Sequence, residues 1–182
     1  MPVVNGLILD GYRTLAEICA PLAAELARCF WVFDCQSGTF RSSYESEERN
    51  QALAERLWWD VPALANSSSC GLRPGSLPQF ADQLMFDEWT YYFAIDAPEQ
   101  LALTRATALA PHIGDFSEPF LRTLDGLADL FIRHADGWWE FYCGRPDWSR
   151  RLASAWPGCF ERGLGKAGEP PLRGDPLKSA TR

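Results

Sequence analysis

Few side chains in this chain have the types and spacing that chemistry requires. The two histidines are His112, directly after Pro111, and His134, inside the run Leu130-Phe-Ile-Arg-His-Ala-Asp-Gly-Trp-Trp-Glu-Phe-Tyr-Cys143. A zinc site needs three or four ligands at a recognisable spacing. The six cysteines (Cys19, Cys29, Cys35, Cys70, Cys143 and Cys159) offer no such grouping with either histidine. His134 reads as a packed histidine. A partnership with Cys143 stays open at this point, because a nucleophile and its base meet in space and not in sequence. Acidic pairs are plentiful: Asp87-Glu88, Asp136 with Glu140, and Glu45 with Glu47 and Glu48. Adjacent acids on a strand point to opposite faces. Glu140 has an alternative partner in Arg133, and acids at a helix start are accounted for by the helix dipole. None of these groups demands hydrolysis, and neither a metal nor a cofactor is expected.

Two motifs match only in part. Gly163-Leu-Gly165-Lys-Ala-Gly168 spells a dinucleotide fingerprint, but Glu169-Pro170-Pro171 follows where a helix must begin to meet the pyrophosphate. Leu7-Ile8-Leu9-Asp10-Gly11-Tyr12-Arg13-Thr14 resembles the first motif of haloacid-dehalogenase-type phosphatases, with Asp10 in the nucleophile's place. Tyr12 stands where that family has its second aspartate, and the fold would need parallel strands that the pattern does not announce. No nucleophile elbow, phosphate loop or zinc-protease motif occurs.

The elements that position these groups begin with Asp136-Gly137. This pair suits a two-residue type I′ turn, in which both central residues take positive φ. Closing there sets Arg133 opposite Glu140 and Phe131 opposite Tyr142, with Trp138 beside them. Ile132 then faces Phe141, His134 faces Trp139 and Leu130 faces Cys143 on the other side. An ion pair between aromatics on one face and an apolar wall on the other would fix the register. Residues 129–135 could instead extend a helix carrying Phe120, Leu124, Leu127 and Phe131 to Gly137. Strand is the preferred reading, because Gly126 weakens that helix.

Elsewhere, alternation marks a strand over Asp87–Asp96, with Trp89, Tyr91, Phe93 and Ile95 on one face. Phe30–Cys35 is a second strand. Val3–Leu9 suggests a small hairpin about Asn5-Gly6. Leu15, Ile18, Leu22, Leu26 and Phe30 recur at helical spacing behind the capping pair Thr14 and Glu17, with a kink expected at Pro21. Further helices are expected after Ser43, after Pro98 up to Pro111, from Ser117, and from Trp148 towards Phe160. Asn66–Gln79 reads as a loop. The elements together predict an α+β fold, a mostly antiparallel sheet with helices packed on one face, as a single domain over residues 1–162. Residues 163–182 are expected to form a flexible Gly/Pro-rich tail.

Composition narrows the function class. The chain has 182 residues, an aromatic fraction of 13% and a net charge of -7. The last twenty positions lean basic (Lys166, Arg173, Lys178, Arg182 against Glu169, Asp175), so the acidic surplus lies in the body. Such a surface repels nucleic acid and anionic membrane and attracts basic partners. No apolar run approaches a membrane span. With no charged-then-apolar leader at the start, reduced thiols and a cytoplasmic setting are expected.

Aromatics and acids recur side by side, above all in Asp87-Glu88-Trp89-Thr-Tyr-Tyr-Phe93 and Asp136-Gly-Trp-Trp-Glu-Phe-Tyr142. In this plan the chain resembles bacterial polymorphic-toxin immunity proteins. That resemblance implies a non-catalytic acidic protein that binds a basic partner, a cognate toxin, and blocks its active site. The expected contact residues are Asp87, Glu88, Asp136, Trp138 and Glu140, with their carboxylates facing outward. The alternative is a small enzyme or ligand-binding domain whose pocket is lined by the same aromatics. The oligomeric state stays open.

Overall fold

The computed structural model describes residues 6–10, 15–35, 59–65, 69–76, 90–113, 126–135, 138–156 and 160–162. Seven strands make one sheet: β1 (Gly6–Asp10), β2 (Phe30–Cys35), β3 (Ser69–Leu72), β4 (Thr90–Ile95), β5 (Leu130–Ala135), β6 (Trp138–Cys143) and β7 (Phe160–Arg162). Their order is β3-β2-β4-β5-β6-β1-β7, and every neighbouring pair is antiparallel. The described helices are α1 (Leu15–Cys19), α2 (Ala23–Leu26), α3 (Glu99–Leu109) and α4 (Pro146–Ala155). This is the α+β architecture expected from the sequence.

The β5–β6 hairpin has the predicted register throughout, from Leu130 opposite Cys143 to Ala135 opposite Trp138, with Arg133 opposite Glu140. Residues 129–135 are therefore not helical. Asp136 and Gly137 lie outside the described residues. The pattern on β4 holds for Tyr91, Phe93 and Ile95, which share one face and one core cluster, while Trp89 lies outside the described residues. Pro21 interrupts its helix as expected, and a 3-10 turn over Ala20–Leu22 joins α1 to α2. A proline ring denies the helix one N–H and collides with the preceding turn.

Helices cover both faces of the sheet. On the first face, α1, the 3-10 turn, α2 and α4 contribute Leu15, Ile18, Leu22, Leu26, Trp148 and Leu152 against Trp31, Phe33, Ile132, Trp139 and Phe141. On the second, α3 sets Ala102, Ala106 and Leu109 against Phe30, Phe93, Ile95 and Phe131, and Val61 and Leu64 close the same cluster. One-sided packing thus describes α1, α2 and α4, while α3 takes the opposite side. Alanines at its contact positions bring α3 close to a sheet surface already filled by aromatic rings. Phe93, Phe131 and Tyr142 stack in a row across β4, β5 and β6, with ring centroids 4.8 and 5.6 Å apart.

Two local expectations are corrected. Ser69–Leu72, within the expected loop, is the edge strand β3, paired with β2. Gly71 makes this possible: a Cβ there would stand 2.7 Å from the Trp59 carbonyl oxygen. Phe160, expected at the end of a last helix broken by Pro157, instead opens β7 (Phe160–Arg162), which pairs with β1. Of the hairpin expected about Asn5-Gly6, Val3, Val4 and Asn5 lie outside the described residues, and Gly6–Asp10 is β1, flanked by β6 and β7. For β3 and β7, distant strand pairing overrides a weak local preference. The expected helices after Ser43 and Ser117 fall largely outside the described residues, as does the tail.

Candidate functional site

Strand alternation sets Trp138, Glu140 and Tyr142 on the second face of β6, and cross-strand pairing brings Arg133 to Glu140. The Glu140 carboxylate collects all three neighbours. The Trp138 indole N–H donates to Oε1 at 3.1 Å, and the Tyr142 hydroxyl donates to Oε2 at 3.3 Å. Arg133 Nε lies 3.5 Å from Oε2. Glu140 is 2% exposed and the Arg133 side chain 11%. A carboxylate this deep needs both a counter-charge and hydrogen bonds to offset its desolvation.

The neighbouring Gly6 belongs to this arrangement. It pairs with Tyr142 across β1 and β6, and a Cβ on Gly6 would lie 2.8 Å from Tyr142 Cε1. The ring occupies the space that a side chain would take, and this orients the hydroxyl towards Glu140.

The expected contact residues fare differently. Trp138 is half-buried on the second face. Glu140 does not face outward: it is buried and neutralised by Arg133, because the second face of the sheet is covered too. Asp87, Glu88 and Asp136 lie outside the described residues. The register puts the start of β4 at Thr90 and the end of β5 at Ala135 at the same end of the sheet. The structure therefore joins Trp138 to Glu140 directly. Sequence reading found the Arg133–Glu140 pair but not the two hydrogen bonds from Trp138 and Tyr142. The signal was present in the period-two spacing of residues 138, 140 and 142.

A second polar cluster sits at the opposite end of the sheet. Asp96 Oδ2 accepts from Arg145 Nη1 at 2.8 Å and from Arg28 Nη2 at 3.2 Å. Asp129 Oδ2 accepts from the Asp96 backbone N–H at 2.8 Å and from Arg105 Nη1 at 3.4 Å. Arg145 also lies over the Trp148 ring, 4.5 Å from its centroid, and reaches Asp147 at 3.8 Å. This clamp ties the ends of β4, β5 and β6 to α3 and α4. Nothing in the local sequence announces it, since its partners are far apart along the chain.

Chemistry at two of the thiols, Cys19 and Cys29, is suppressed. Burial, with a smaller contribution from Cys29, pushes the Cys19 thiol up to about 12. Cys29 is also pushed up to about 12, first by burial and then by the charges of Asp96 and Asp129. Among the described residues, Cys19, Cys29, Cys70 and Cys143 form no disulfide. The Cys143–His134 partnership fails on geometry: Cys143 faces Leu130 and His134 faces Trp139. That is four strand positions apart, or about 13 Å of backbone at ordinary strand rise. Asp10 ends β1 opposite Trp138, in a sheet whose described pairs are all antiparallel, so the phosphatase-like motif lacks its parallel framework.

Among the described residues, no group of three or more His, Cys, Asp or Glu could hold a metal ion. None of the described helices is long and apolar enough to cross a membrane. No protein-family model, curated protein or solved structure matches this chain.

Proposed function

We propose that this chain is a non-catalytic acidic binding protein that neutralises a basic protein partner in the cytoplasm, in the manner of an immunity protein. The observation that carries this reading is how the arginines are used. Arg28, Arg73, Arg105, Arg133, Arg145 and Arg151 each stand within ion-pair distance of a carboxylate of the same chain. Their charge is matched internally, and the net charge of -7 is left to attract an external cation. Acidic surfaces of this kind accelerate encounter with basic partners and fix their orientation. Asp87, Glu88 and Asp136 are the carboxylates assigned to the contact. Glu140 serves it from inside, through Trp138.

The test uses the whole chain as bait in extracts of its source cell. The wild type should retain a basic protein that elutes as salt is raised, and the D87K/E88K/D136K variant should lose it while keeping a native melting curve. Retention of the same proteins by both baits would overturn the assignment.

A further inference from the structure

Resting on that binding role, we propose that Trp138 is the platform on which a cationic side chain of the partner, a guanidinium or an ammonium, is stacked, and that Glu140, Tyr142 and Arg133 are its positioning residues. Adjacent tryptophans take opposite fates here. Trp139 points into the first core and is 1% exposed, while Trp138 lies on the other face next to the turn and stays half-buried. Among the described residues no aromatic ring is stacked on Trp138.

The indole is fixed from behind. Its N–H is held by Glu140 at 3.1 Å, and Glu140 is itself held by Tyr142 and Arg133 in a buried setting. An aromatic ordered before binding loses little entropy on contact, which favours it as an interface anchor. The same hydrogen bond adds electron density to the ring. A donor polarised by a carboxylate strengthens its partner interactions in a low-dielectric setting. Tryptophan already presents the strongest π face to cations. The fold uses this pairing internally, with the Arg145 guanidinium 4.5 Å above Trp148. The overall charge of -7 supplies the attraction that brings a cation to the ring. Glu140, being buried, acts on a partner only through the position and electron density of the indole.

The experiment follows the indole Nε1–H signal of Trp138 by 15N NMR, assigned with W138F, while hexa-arginine peptide is titrated at physiological salt. In the wild type this signal should shift with saturation. W138L should bind the peptide about two- to fivefold more weakly, the range that a cation–π contact confers. W138F should recover part of the loss. In the free protein E140Q should move the Trp138 signal upfield, a readout that general destabilisation would not confine to this one indole.

The outcomes separate the two proposals. Equal peptide affinity in W138L and wild type, with loss in D87K/E88K/D136K, sinks the Trp138 contact and leaves the acidic surface standing. Weakened binding in W138L with none in the triple reversal keeps the Trp138 contact and removes those three acids. Absence of any peptide binding to the wild type overturns both.

Discussion

Two clusters of charge lie at opposite ends of one sheet, and they are built on opposite principles. Near the β5–β6 turn, Glu140 is 2% exposed and answers to Arg133, Trp138 and Tyr142 from inside the second core. At the far end, Asp96 and Asp129 grip Arg28, Arg105 and Arg145, whose side chains remain 63%, 26% and 36% exposed. Water screens the second cluster and not the first. A buried charge that loses its partner has nowhere to turn, whereas an exposed one is rehydrated. The buried network therefore specifies register and side-chain orientation, and the exposed one acts as a clamp of modest strength.

The sharpest way to break this contrast is Arg133→Met. Leaving Glu140 buried without its counter-charge should cost about 3–5 kcal/mol in urea unfolding. The double variant R133M/E140L, which removes both charges, should recover most of that loss. If the single variant proves as stable as the wild type, the pair is solvated and the contrast collapses. A second, smaller effect is expected for Gly6→Ala, whose new methyl group must displace the Tyr142 ring. A cost of about 1–3 kcal/mol is expected for such overpacking, with a shift of the Trp138 indole signal because Tyr142 no longer holds Glu140 in place.

At the clamp, a double-mutant cycle between Asp96 and Arg145 should return about 1 kcal/mol or less, falling further in high salt. A coupling as large as that of the buried pair would show the two ends to be equivalent. Thiol labelling sharpens the picture by reactivity. Cys19 and Cys29, both pushed up to about 12, should react far more slowly in the native protein than Cys70 or Cys143. Quantitative mass spectrometry of alkylated peptides near pH 8 would measure the ratio.

The smallest expected effect lies between helices. Arg151 donates to the Glu25 side chain and to the Pro21 carbonyl, bracing α4 against the kinked α1–α2 helix. The Arg151 hydrogen bond, before other causes, holds the Glu25 carboxyl below its ordinary range. A carboxyl depressed in the folded state adds stability above its unfolded value, and that stability is lost as pH falls through the folded one. Arg151→Ala should therefore lower the melting temperature slightly at neutral and alkaline pH, with the difference from wild type shrinking as the pH falls below about 4.5, as read by melting temperature against pH.

The legibility of these two regions differs in the same way. The hairpin register, the Tyr91–Phe93–Ile95 face, the Pro21 interruption and the helix after Pro98 are local, and local pattern sufficed for each. Turn chemistry and side-chain alternation act over a few residues, so their physics is complete within a short window. The Arg133–Glu140 pair was legible for the same reason.

What the sequence alone determined, then, is which residues share a face and which oppose each other across the turn. Only the tertiary structure decided that β1 lies between β6 and β7, that Ser69–Leu72 and Phe160–Arg162 become edge strands, and that α3 covers the face carrying Glu140. Strand neighbours are chosen by hydrogen bonding and burial between segments far apart in the chain, and no local pattern encodes that choice. The same distant packing turned Glu140 from an expected surface acid into the buried support of Trp138.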